Sequence, residues 1–303
     1  RAGEYGARRR LLIAPSHPES FAAWINRYIE ALAVRGVRAL SVAPYRSDLA
    51  GFHEWCVERS ITRPDEVTKP MLERWQRHLF YYRKADGQPL SMARQVGMLH
   101  AVRLFFRWLA RHNHIAANPA SDLDLPRAPP HGLPDVLTVS EAEAILATFE
   151  VSNLVGLTSR AMAEVLYSTA IRRAELTGLQ LYDLDVVRRV VHIRRGKGGK
   201  SRLVPIGERA VAWVQKYLDE VRPMLAIGAH ETALFVNLAG QPMTPATLHA
   251  RMKEAKRLAG IQKRGACHLF RHTAATLMLE HGADVRYIQE LLGHSNLNTT
   301  QLY

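Results

Sequence analysis

The sequence predicts a mainly α protein: an all-α N-terminal domain, then a mostly α domain carrying a small antiparallel β-hairpin. Three observations point there. Four segments between residues 18 and 117 repeat apolar side chains with helical period. Residues 118–135 are rich in Pro and Asp, a composition that stays extended and separates domains. Two short β-branched runs, 190–193 and 202–206, flank the glycine-rich stretch GKGG.

In order, residues 1–17 form a basic arm with no periodicity. Ser20 caps a helix with Phe21, Ile25, Ile29 and Leu32 on one face, ending near Gly36. Ser41 opens a second, carrying Tyr45, Leu49, Phe52 and Cys56. Thr68 caps a third, with Pro70 near its start and Met71, Leu72, Trp75 and Leu79 inward. KADGQP then breaks the chain, and Ser91 starts a fourth helix with Leu99, Val102, Phe105, Phe106 and Leu109. Helices joined this tightly make a compact domain over 18–117.

The stretch 118–135, with Pro126, Pro129, Pro130 and Pro134, is expected to be the interdomain linker. A second domain over 136–303 opens on the capping box Thr138-x-x-Glu141, leading a helix with Ile145, Leu146 and Phe149. A further helix covers 158–166, with the segment TAIRRAEL after it. Next come the hairpin, a helix over 208–218, a short β feature at Leu234, Phe235 and Val236, and a helix over 245–258. Finally Leu277, Leu279, Val285, Ile288, Leu291 and Leu292 suit two packed helices, parted by Gly282 and closed by Gly293, with His294 just beyond.

Among 303 residues there are 41 Lys and Arg against 28 Asp and Glu, a formal charge of +13 spread over both halves. Such a surface fits a clamp on a polyanion, and nucleic acid explains it better than an anionic membrane. A hydrophobic content of 47% excludes a disordered chain, and no apolar run approaches membrane-spanning length. Arg8, Arg9 and Arg10 precede Leu11, Leu12, Ile13 and Ala14, but Pro15 stops that run short of a signal peptide. The first residue is not Met, so a trimmed N-terminus is expected. Cys56 and Cys267 have no metal-ligand spacing, which suits a reducing cytoplasm.

Taken singly, the polar motifs have plain readings. Arg172 and Glu175 are spaced as a solvated helical ion pair. GKGGKS resembles the end of a phosphate loop, but Arg194 holds the place of its first Gly and a strand follows where a helix is needed. It reads instead as a hairpin tip bearing Lys197, either offered to a phosphate or simply solvated. His268 and His272 lie four apart, yet Leu269 occupies the place of a zinc-protease Glu and no third ligand follows, so no metal is expected. His294 alone is a helix cap, and Tyr303 alone a terminal aromatic.

Together the motifs say more. HLFRH, LLGHSNLNTTQLY, TAIRRAEL and GKGGKSRLVP, in this order of domains, resemble the tyrosine recombinase (integrase) family, especially its compact Xer-like members. The resemblance is strong from Leu137 to Tyr303 and weaker over the N-terminal part. It implies a core-binding, SAM-like DNA-binding domain before the catalytic one. It also implies that Tyr303 attacks a DNA phosphate to leave a 3′-phosphotyrosyl link and a free 5′-hydroxyl. Arg172 and Arg271 would hold the non-bridging oxygens, His268 would accept a proton, His294 would donate to the phosphate, and Lys197 would protonate the departing 5′-oxygen. Glu175 would orient Arg172, while Arg173, Lys200 and Arg202 would contact DNA. No cofactor is implied. The implied partner is duplex DNA with a specific core site, bound by a homotetramer in the bacterial cytoplasm, at the nucleoid.

Family members continue past this tyrosine into a segment that packs on a neighbouring protomer, so the tetramer is expected of the intact protein. Two rival activities remain at this point: DNA relaxation like that of a type IB topoisomerase, and DNA binding without catalysis. The helical N-terminal domain and the spacing to Tyr303 favour recombination over relaxation, and the full set of polar residues argues against a silent site. No large insertion separates Val236 from His268, unlike in the integron integrases. The same residues serve dimer resolution and mobile-element movement alike.

Overall fold

The computed structural model describes residues 17–37, 39–127, 134–194, 201–225, 228 and 231–293. The chain divides into two compact units, Arg1–Pro130 and His131–Tyr303.

The first unit is built on four helices: α1 (Phe21–Val34), α2 (Ala39–Val57), α3 (Lys69–Tyr81) and α4 (Met92–Arg111). Ser20 and Ser91 cap α1 and α4 as the sequence predicts, their hydroxyls accepting from the Ala23 and Arg94 amides. Thr68 stands at the N-cap of α3 without a side-chain bond there, and Pro70, which needs no partner for its nitrogen in the first turn, does the local work. The start of α2 differs from expectation. It begins at Ala39, before Ser41, and takes Pro44 into its early turns. Phe21, Phe52, Phe105 and Phe106 meet in one core with Leu49, Leu72, Leu99 and Val102. Burying each such side chain contributes about 1.5–3 kcal/mol before entropy is counted. Ala120 and Leu123, beyond α4, join the same core.

In the second unit Thr138 and Glu141 form the expected box: the Glu141 amide donates to the Thr138 hydroxyl at 3.1 Å and the Thr138 amide to the Glu141 carboxylate at 2.7 Å. The box opens α5 (Val139–Ala147), and α6 (Leu154–Thr169) follows, capped by Asn153. α6 is buried along most of its length and lies against α8 (Glu208–Glu220) and α10 (Cys267–Glu280). It ends at Ala170, a left-handed residue at φ +53°, whose turn buries Ile171 and delivers Arg172 to the N-cap of the short α7 (Arg173–Thr177).

Next come the strands β1 (Leu184–Asp185), β2 (Val190–Ile193) and β3 (Arg202–Pro205), an antiparallel sheet in that order. In its register Ile193 stands opposite Arg202. The sheet adds β1 to the predicted hairpin. The β feature expected at Leu234, Phe235 and Val236 is not a strand. Those residues are buried, with isolated bridges from Ala233 to Gln180 and from Val236 to Pro242. α9 (Pro245–Leu258) leads to α10 and then α11 (Val285–Leu292), parted at Gly282 as predicted. Leu277 and Leu279, however, are not in the core. α10 buries Leu269 and Phe270 together with the small Ala274 and Ala275, which allow close approach, and leaves Leu279 exposed. Among the described residues no helix is long and apolar enough to cross a membrane.

Candidate active site

The site grows from one buried carboxylate. Glu175 is the third residue of α7, and its Oε2 accepts the Arg172 amide at 2.8 Å, closing a capping box. Its Oε1 accepts the Arg172 guanidinium at 3.0 Å. From β3, Arg202 sets a two-pronged fork on the same carboxylate, at 3.0 and 2.8 Å. The Glu175 side chain is only 5% exposed. Burial alone would raise its pKa, but the bonds from Arg202 and the Arg172 amide, together with both guanidinium charges, hold it below the usual carboxylate value. One anion thus anchors two cations and leaves an excess positive charge.

The second anchor is the C-terminal end of α11, where three successive carbonyls each receive a different arginine. Leu291 O accepts Arg202 Nε at 2.8 Å, Leu292 O accepts Arg271 Nη2 at 2.7 Å, and Gly293 O accepts Arg172 Nη2 at 2.9 Å. These oxygens lack intrahelical partners and carry the negative end of the helix dipole, so cations are favoured there. Gly293 is left-handed at φ +63°, and a Cβ on it would lie 3.1 Å from Arg202 Nη1. Arg271, buried on α10, also donates to Ala170 O at 2.6 Å and so ties α10 to the turn that places Arg172.

His268 lies three residues before Arg271 in the first turn of α10, on the same side of the helix. It is solvent-accessible, yet partial burial of the ring, then the charges of Arg271, Arg173, His249 and Arg172, push its pKa below the ordinary histidine value. At neutral pH its ring is therefore uncharged and able to accept a proton. His272, ring centroid 6.3 Å away, is shifted the same way by burial and by His268. Among the described residues no group of three or more His, Cys, Asp or Glu is placed to hold a metal ion.

Residues 135–303 match the phage integrase family. The chain belongs to that family, the tyrosine recombinases. It is 51% identical over 280 residues to tyrosine recombinase XerC 2 of Ralstonia nicotianae, covering 92% of this chain and 80% of the relative. It is 38% identical to tyrosine recombinase XerD of Pseudomonas putida, covering 92% and 91%. In structure it resembles the XerH recombinase bound to its difH substrate before cleavage, with a TM-score of 0.71, covering 92% of this chain and 80% of that one. At 22% identity this last likeness speaks for the fold.

In this tyrosine recombinase the structure brings together Arg172, Glu175, His268 and Arg271, with Arg173 half-buried beside His268. Arg202, assigned from the sequence to a DNA phosphate, has a side chain only 10% exposed and gives its fork to Glu175. Lys197, Lys200, His294 and Tyr303 lie outside the described residues. His249 of α9, whose charge acts on His268, was not singled out in the sequence. Nothing local marks it, because it comes to the site from another element.

Proposed function

We propose that this tyrosine recombinase cleaves and rejoins duplex DNA at a specific core site through a 3′-phosphotyrosyl intermediate. The observation that supports it most is the gathering of Arg172, Arg202 and Arg271 on the last carbonyls of α11, ten residues before Tyr303. A phenol of pKa near 10 is only about 0.1% ionised at pH 7, so the nucleophile needs a cationic site and a proton acceptor. Arg172 and Arg271 bind the non-bridging oxygens and stabilise the charge of the pentacoordinate phosphorus. Tyr303 Oη forms the bond to phosphorus, and its proton passes to His268. His294 donates to a phosphate oxygen. The bond to the 5′-oxygen breaks and that oxygen takes a proton from Lys197. Attack by a 5′-hydroxyl of another strand runs the same steps backwards.

Exchange between two duplexes needs four such cleavages, and hence a homotetramer on paired sites. Arg173 and Lys200 contact backbone phosphates near the catalytic residues. On the first unit His100, Arg103, Arg107 and Arg111 recur along one face of α4, a stripe suited to the DNA backbone. With both cysteines free and buried, the reading suits a reducing cytoplasm, where the DNA is.

The test is a duplex nicked beside the scissile phosphate, which traps the covalent adduct. The unaltered chain forms the adduct. Tyr303→Phe abolishes it while leaving DNA affinity nearly intact. Adduct formation by Tyr303→Phe removes this reading. Relaxation of supercoils at any sequence, with no junction product, moves the activity to that of a topoisomerase.

A further inference from the structure

β2 alternates as strands do: Val191 and Ile193 are buried, while His192 and Arg194, which follows the last residue of the strand, turn to the other side. There they line a cleft of about 530 Å³ together with Tyr182, Asp183 and Glu175. We propose that Arg194 is a DNA contact, a guanidinium fork held ready for one backbone phosphate flanking the scissile phosphate. The proposal rests on the recombinase reading above, to which it adds a point of contact.

Two neighbours fix the side chain. Asp183 closes the 3-10 turn Leu181–Asp183, where its Oδ2 accepts the Gln180 amide at 2.9 Å, and its side chain is only 3% exposed. β1 follows directly and pairs with β2, Leu184 opposite Val191. The carboxylate is thereby held beside β2, and its other oxygen, Oδ1, accepts Arg194 Nε. The Arg194 guanidinium carbon sits 4.3 Å from the centroid of the Tyr182 ring, a cation–π contact over one face. Tyr182 is itself largely exposed, so its ring is a platform at the surface and not part of the core.

A guanidinium carries a fork of N–H donors, and Asp183 takes only the one on Nε. Among the described residues Arg194 Nη1 and Nη2 have no hydrogen-bond partner, and the side chain is 49% exposed. These two nitrogens form a planar pair that matches two oxygens of one phosphate. Stability does not account for the arrangement. Exposed ion pairs contribute little to folding, and immobilising so long a side chain costs rotamer entropy. For a ligand the same order is an advantage, because the fork is already immobilised before binding. The position favours a phosphate over a base edge. The cleft also reaches Glu175, the carboxylate that holds Arg172. Arg194 thus stands beside the group that grips the scissile phosphate, where a continuous strand must bring further phosphates but need not bring any given base.

The experiment measures the affinity of the full chain for the duplex that yields the covalent adduct, with Tyr303→Phe as the parent so that no covalent capture contributes. Single phosphates on either side of the scissile one are replaced in turn by uncharged methylphosphonates. Adding Arg194→Ala to the parent is expected to weaken binding roughly tenfold, the scale of a charge-assisted hydrogen bond, and to reduce the salt slope by about one. One flanking methylphosphonate should weaken the parent to the same extent and weaken the Arg194→Ala chain no further. Arg194→Lys keeps the charge without the fork, so it should keep the slope and recover only part of the affinity. Affinity and slope unchanged by Arg194→Ala overturn the proposal. So do losses from Arg194→Ala that simply add to those from every methylphosphonate, as a structural role would give. Full affinity in Arg194→Lys overturns the fork. Coupling of Arg194→Ala to replacement of one base pair, and to no phosphate, overturns it in favour of a base contact. If the unaltered chain forms no adduct on a nicked duplex, the recombinase reading fails first and takes this proposal with it.

Discussion

Glu175 holds two guanidinium groups with one carboxylate, and that arrangement has a pH signature. Its pKa in the fold is depressed relative to about 4.3 in the unfolded chain, so its contribution is fully present above the unfolded value. It is lost as pH falls through the lower folded value. Glu175→Gln should cost roughly 3 kcal/mol at pH 7, as breaking a buried pair does. The difference from the unaltered protein should shrink below about pH 4, read from denaturant midpoints at both pH values. His268 makes the converse case. Because its pKa is lowered, it remains a proton acceptor as pH falls through the ordinary histidine value of about 6.5. Adduct formation in a single turnover should hold its rate from pH 8 to about 6.5 and decline only below, and a decline beginning above pH 7 would take the proton acceptor away from His268. At this scale the sequence reads pairs that are near in the chain. Glu175, three residues after Arg172, is legible. The link from Arg202 to Glu175 and the influence of His249 are not, since each spans separate elements brought together by packing.

Helix starts were legible at Ser20, Ser91 and the Thr138–Glu141 box, where one polar side chain satisfies an orphan amide, but not at Asn153, whose side chain caps α6 at Leu154, four residues before the expected start at 158. The inward face of α10 was not. Periodicity offers two leucines, Leu277 and Leu279, but the close approach of α6 selects Ala274 and Ala275 instead. Likewise Leu234, Phe235 and Val236 have strand composition, yet they find only bridge partners and are held by burial. Two glycines test the packing around these elements. At Gly156, in the first turn of α6, a Cβ would lie 1.8 Å from Glu150 O, so Gly156→Ala must displace backbone. It should lower stability by at least about 2 kcal/mol, measured by thermal or urea unfolding. At Gly293 the left-handed conformation alone costs a non-glycine residue about 1–2 kcal/mol. The added methyl would also press on the Arg202 guanidinium. Gly293→Ala should therefore slow adduct formation more than its loss of stability explains, and a purely thermal effect would argue against that end of α11 as part of the site.

For the whole molecule the governing quantity is the charge of +13. If six or more phosphates are neutralised, affinity for duplex DNA should fall by about 10³ or more between 50 and 200 mM salt. A flat dependence, measured by titration at several salt concentrations, would leave the basic surface unexplained. Composition reveals this charge directly, but the Pro-rich stretch hides a detail. Ala120 and Leu123 belong to the core of the first unit, because a short apolar pair amid Pro and Asp gives no periodic signal.

The three arginines at the end of α11 make helix and ligand thermodynamically reciprocal. A phosphate that binds Arg172 and Arg271 better when they are held in place must, by linkage, stabilise the carbonyl ends that hold them. Duplex DNA should therefore slow hydrogen exchange at the amides of Ile288, Leu291 and Leu292, even in Tyr303→Phe, where no covalent bond can form. Conversely, on the proposed mechanism any force on the chain just after Gly293 would be felt as a loss of phosphate affinity, coupling the residues that lead to Tyr303 to the grip on the phosphate.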